Sequence, residues 1–158
     1  MIPPLPPSYV PRFRRVAQSH GFDCWAACVA MLANKSLAQV CEVAGLINAI
    51  PANGPYWISD VAIAMLLGRY GWVSTVYKPT TGYTDELGDL SIVMLDYDEA
   101  TELGRHALMY RERELPGSPN RCVLIDPANW ISEHAQVRIL EDGEVSFFIA
   151  VHEMNYDY

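Results

Sequence analysis

No window of the sequence approaches the ~18 consecutive apolar residues that span a bilayer, so membrane insertion is not expected. Positive charge is scarce: 11 Lys and Arg stand against 19 Asp and Glu, a formal charge of −8. Proteins that bind a phosphate backbone usually present a basic face, which excludes nucleic acid as an expected partner. The only basic cluster, Arg12–Arg15 in "RFRR", reads as a solvated part of an N-terminal arm. Cysteine is also sparse, with residues 24, 28, 41 and 122 and no C-x-x-C pair. A 158-residue chain that is 51% hydrophobic builds a core without staples, so these four read as reduced thiols. Their spacing does not suit a zinc knuckle, and neither a metal nor another cofactor is expected. The N-terminus lacks the order of a signal peptide, because prolines occupy the place of its apolar helix and the charges follow them. A cytoplasmic chain, or one exported without a cleaved signal, is the expectation.

What is present organises into one domain. Prolines 3, 4, 6, 7 and 11 favour extended backbone, so residues 1–17 read as an arm on the surface and 18–158 as a single domain. From Cys24 apolar residues recur at three- and four-residue steps, predicting a helix capped by Asp23 and ending between Ala33 and Lys35. Ser36 caps a second helix through "LAQVCEVAGL", and Ser59 or Asp60 opens a third that stops at Gly71. The intervening "IPANGPYW" reads as a loop carrying Tyr56 and Trp57. Beyond Gly71 the apolar runs shorten: "WVSTVY", "SIVML", "HALMYRE", "CVLID", "QVRIL" and "VSFFIAVH" are strand-like, with "EDGE" reading as the turn of a hairpin between the last two. Helices followed by strands predict an α+β domain whose N-terminal helical half packs on a C-terminal antiparallel β-sheet.

Chemistry concentrates in "QSHGFDCWAACVAML", Gln18–Leu32. A free cysteine is ordinarily a small buried hydrophobe, but Cys24 stands at a helix start, where the dipole favours a thiolate. His106 in "LGRHALMY" lies at the start of a predicted strand, and Asp126 ends the neighbouring one before Pro127. Antiparallel pairing through "LPGSPN" brings such an imidazole and carboxylate together, and the carboxylate then holds the ring in the tautomer that faces the thiol. Gln18, six residues before Cys24, supplies an amide to join the Cys24 backbone N–H in binding an oxyanion. His20 is placed to line the cleft or lie in an exposed loop; His134 and His152 read as solvated, and Cys28, Cys41 and Cys122 as core. The acidic stretch Asp96–Glu102 reads as a solvated loop, with preference for a basic substrate as the alternative.

The pattern Q-x5-C-W followed by an apolar helix resembles the nucleophile segment of papain-like cysteine proteases. "DCWAACVAMLA" is closer to the peptidases that remove bacteriocin leader peptides, whose motif reads roughly Q-x4-D-C-G-x-A-C-hydrophobic-A-M. It is also similar to papain-like effector proteases of plant-pathogenic bacteria, which carry a Cys-Trp-Ala run. Trp25 departs from the glycine of the leader peptidases. The resemblance implies a papain-like fold with an active-site cleft between its halves, Cys24 as nucleophile, His106 as base and acid, Asp126 as orienter and Gln18 in the oxyanion hole. Asn129 is an alternative orienter, of the amide kind that papain uses. The activity implied is cleavage of a peptide or isopeptide bond in a protein or peptide substrate through a thioester, by a bacterial or phage effector whose delivery or target-host partner the sequence does not name. The alternatives are a non-proteolytic acyl-transfer enzyme, a deamidase or transglutaminase-like toxin, and a catalytically silent peptide-binding domain.

Overall fold

The computed structural model describes residues 4–19, 23–47, 58–114 and 121–154. The loop with Tyr56 and Trp57, the 115–120 turn and His20 lie outside these residues. Helix α1, Cys24–Ala33, is apolar on every side, and all but its last residue are buried. A helix without a polar face has to sit inside the domain, and α1 lies between β4 of the sheet and the helices α2, Leu37–Leu46, and α3, Asp60–Arg69. Its alanines, Ala26, Ala27 and Ala30, let these neighbours approach closely. The two flanking helices start as expected. Ser36 and Gln39 form a reciprocal capping box, and the Ser59 hydroxyl accepts from the Ala62 N–H.

Asp23 sits at the N-cap position of α1 but does not cap it. Its carboxylate accepts instead from the Ser19 N–H at 3.1 Å and the Ser19 hydroxyl at 2.6 Å. A side chain that bends back to the preceding loop cannot also reach forward to the helix, so the loop that carries Gln18 is tied down at the expense of the cap.

The strands are β1 Trp72–Ser74, β2 Lys78–Pro79, β3 Leu90–Asp98, β4 Leu103–Glu112, β5 Arg121–Ile125, β6 Val137–Ile139 and β7 Val145–Glu153. They form a seven-stranded antiparallel sheet in the order β1-β7-β3-β4-β5-β6, with β2 also on β7. One face, through Ile92, Leu108, Tyr110, Val123 and Ile125, packs on the helices. The other, through Val93, Ala107, Met109, Leu124 and Phe148, closes on the 3-10 turn Thr84–Leu87 and the Leu140–Val145 region. Each fully buried aliphatic side chain in these layers stabilises the fold by about 1.5–3 kcal/mol.

The "EDGE" hairpin does not form, since β6 pairs with β5 and β7 lies across the sheet between β1 and β3. Its turn residues bond elsewhere: Gly143 N–H donates to Gly82 O at 2.6 Å, and Thr84 N–H to the Asp142 carboxylate at 2.8 Å. The apolar side chains of β7, among them Phe148, Ile149 and Val151, face both layers and require an interior strand. That burial outweighs a local turn preference.

The arm is less exposed than its composition predicts. Leu5, Tyr9, Phe13 and Val16 pack against the helix-side core, and the Tyr9 hydroxyl bonds Tyr110 and Glu112. Within "RFRR", Arg15 donates to Asp126 O at 2.8 Å and Ala128 O at 2.7 Å, so this guanidinium is a structural clamp and not part of a solvated cluster. No single helix among the described residues is long and apolar enough to cross a membrane.

Candidate active site

The N-terminus of α1 abuts β4, and this contact joins residues 82 positions apart. Along β4 the side chains alternate, and His106 shares the helix-facing side with Leu108 and Tyr110. His106 Nδ1 lies 3.3 Å from Cys24 Sγ, and the His106 backbone N–H donates to the same sulfur at 3.2 Å. Both side chains are buried, each only 4% exposed, so the pair is shielded from bulk water. His106 is the fourth residue of β4 and not its first, which puts the ring over the sheet where the helix start can reach it.

Burial is the dominant influence on both groups. It pushes the Cys24 thiol up, and Asp23 adds to that, while the N–H groups of His106, Trp25 and Cys24 itself pull in the other direction. It pushes the His106 imidazole down to about 4 from an ordinary 6.5. Burial thus disfavours the charged form of each group, the thiolate of Cys24 and the imidazolium of His106. The His106 N–H directed at sulfur favours negative charge there.

Gln18 is buried beside this helix start. Its backbone is fixed twice, by donating its N–H to Pro127 O at 2.8 Å and by accepting at its carbonyl from Asn129 Nδ2 at 3.0 Å. Asn129, the alternative orienter, thus holds the Gln18 segment in place. His134 and His152 are exposed, and Cys28 and Cys122 are buried in the core, while Cys41 is half-buried.

Asp126 is brought to the same end of the sheet but on the other face. Ile125 pairs with Leu108, so the next residue falls on the side of Arg105 and Ala107, opposite His106. The Asp126 N–H continues the β5–β6 ladder to Gln136 O, which keeps that alternation beyond the strand end. Both carboxylate oxygens accept from Arg105, at 2.5 and 2.6 Å, and one also accepts from the Ala128 N–H. Asp96 bonds the same guanidinium at 2.5 Å, from a position where β3 loses register and Asp96 takes a positive φ of 52°. The acidic stretch is thus partly spent on Arg105.

The far nitrogen of His106, Nε2, lies 2.6 Å from the Tyr77 hydroxyl. Nothing local in the sequence marks Tyr77, which sits 29 residues before the histidine in what reads as an ordinary strand. Its backbone N–H donates to the Asp60 carboxylate at the start of α3, while the preceding Thr75 exchanges bonds with Ala150 on β7. Tyr77 also borders an open pocket of about 420 Å³ with Met94, Tyr97, Leu103 and Phe147, rimmed by Thr101 and Glu102.

No protein-family model and no curated protein sequence matches the chain. Its fold matches solved structures. One is the peptidase domain of Streptococcus ComA, a bifunctional ABC transporter involved in quorum sensing, with TM-score 0.59 and 15% identity over 90% of this chain and 100% of that one. Another is a double-glycine-motif protease from an AMS/PCAT transporter, solved with its leader peptide, with TM-score 0.57 and 10% identity over 90% of this chain and 93% of that one. With helices on an antiparallel sheet in the same arrangement across nine-tenths of its length, the chain has the papain-like cysteine peptidase fold of these transporter domains.

Proposed function

We propose that the protein is a cysteine peptidase that cuts a peptide or isopeptide bond through a thioester. The single observation that carries this reading is the buried Cys24–His106 contact at the start of α1, with sulfur and Nδ1 3.3 Å apart. On attack the thiol proton passes to Nδ1 and sulfur bonds to the substrate carbonyl carbon. The carbonyl oxygen becomes an anion, for which the Cys24 N–H and the Gln18 side-chain amide are the proposed donors. Collapse breaks the C–N bond, the imidazolium gives its proton to the leaving amine, and a thioester remains. Water, giving a proton to the same nitrogen, then attacks the thioester and releases the acid and the thiol.

Asp126 serves this site at one remove in the proposed scheme. Through Arg105, Arg15 and the Ala128 N–H it secures the 126–129 segment, and that segment holds Gln18. A peptide is the proposed substrate class, because the apolar pocket bordered by Tyr77 offers a place for one side chain next to the histidine. The fold likeness to peptidase domains agrees with that class.

The test is incubation with a near-stoichiometric thiol-directed electrophile followed by mass spectrometry of the labelled site. Cys24 is expected to be modified well before Cys28, Cys41 or Cys122, and His106→Ala to slow its modification. Equal labelling of all four, or preference for another cysteine, would refute the reading.

A further inference from the structure

A histidine that takes a proton at Nδ1 needs its other nitrogen to carry a hydrogen directed at an acceptor, otherwise the ring can adopt the tautomer in which Nδ1 is already occupied. Among the described residues, Cys24 from α1 meets one ring nitrogen of His106 and Tyr77 the other, with Asp23 and Cys28 near the helix start and Asp60 at the base of Tyr77. Arg105 and Asp126 occupy the opposite face of β4 and satisfy one another.

We propose that Tyr77 is the positioning residue of the site: its hydroxyl oxygen accepts the Nε2–H of His106 at 2.6 Å and thereby keeps Nδ1 free for the Cys24 proton. This rests on the reading of Cys24 and His106 as a nucleophile and base. The bond is preset from two sides, since the Tyr77 backbone is held by Asp60 at α3 and its approach by the Thr75–Ala150 exchange on β7. The hydroxyl therefore arrives from the β1–β2 connection, a part of the chain that supplies nothing else to the pair. A phenol differs from a carboxylate in one useful respect: it accepts the Nε2–H without placing a charge in a buried site, whereas a carboxylate there favours the imidazolium. The same residue borders the apolar pocket, so a side chain entering there touches the group that sets the base.

Two measurements on the full chain test this. The first is the rate of Cys24 alkylation by iodoacetamide from pH 5 to 10, and the second the 15N resonances of His106, in wild type, Tyr77→Phe and Asp126→Asn. Tyr77→Phe keeps the ring and removes only the oxygen, and is expected to slow alkylation near neutral pH by about tenfold, the worth of one such hydrogen bond. Its rate profile should move to higher pH and the Nε2 resonance should shift, while Asp126→Asn leaves that resonance in place. An alkylation profile and Nε2 resonance that Tyr77→Phe leaves unmoved would overturn the proposal, whatever Asp126→Asn does. Should Tyr77→Phe not fold, the 15N resonances of wild-type His106 decide: a proton on Nε2 with Nδ1 unprotonated is the expected state, and a neutral ring with its proton on Nδ1 overturns the proposal. Failure of the underlying reading looks different: wild-type Cys24 then shows no preference over the other cysteines, and the Nε2 resonance still reports whether Tyr77 holds the ring.

Discussion

Acidification should destabilise the wild-type protein more than a His106→Gln variant, by about 2–3 kcal/mol between pH 7.5 and pH 4.5. The magnitude comes from burial of the ring, which lowers the His106 pKa to about 4 against an ordinary 6.5. Above pH 6.5 the imidazole is neutral in folded and unfolded chains, so it contributes no pH dependence. Between 6.5 and 4 only the unfolded chain takes up the proton, and each pH unit in that window favours unfolding by about 1.4 kcal/mol until the folded ring also titrates. The glutamine side chain of the variant does not titrate, so the difference between the two proteins isolates this one group from the carboxylates they share. Urea unfolding followed by far-UV circular dichroism at half-unit intervals from pH 7.5 to 4.5 measures it. Parallel loss of stability in the two proteins would refute the burial argument. A steeper loss in the variant would show that the folded ring is charged at rest.

Gln18→Ala is expected to lower peptide turnover by roughly 10²–10³, through kcat more than KM, because the amide acts on the transition state; iodoacetamide alkylation of Cys24, which builds no oxyanion, should fall far less. Equal losses in the two assays would mean that Gln18 acts through the thiol. Gly104→Ala should destabilise by about 1–3 kcal/mol, since an added Cβ lies 2.5 Å from Met94 Cγ and 3.0 Å from Leu95 O, on the strand segment that carries His106. A thermal melt within one degree of wild type would show that β3 gives way there without strain.

Much of the fold is written in local pattern. The three helices start where Cys24, Ser36 and Ser59 predict, because apolar period and capping chemistry act over one or two turns. Each strand-like run from "WVSTVY" to "VSFFIAVH" overlaps a strand of the sheet for the same reason, although the first leaves its strand after Ser74. The candidate nucleophile and base were legible too, since a cysteine at a helix mouth preceded by a glutamine, and a later histidine in a strand, form an ordered pattern along the chain. Strand order was not. The "EDGE" turn carries the local signal of a hairpin, yet β7 takes an interior place that only the burial of both its faces explains. The same limit governs the third partner of the site. Sequence order places Asp126 after His106, but side-chain alternation across the β4–β5 register sets it on the far face with Arg105, and the β1–β2 connection carries Tyr77 to Nε2 instead. Residue types and their local spacing determined which groups were available; which of them meet depended on strand register and on the face each side chain occupies, and these exist only once distant segments have packed together.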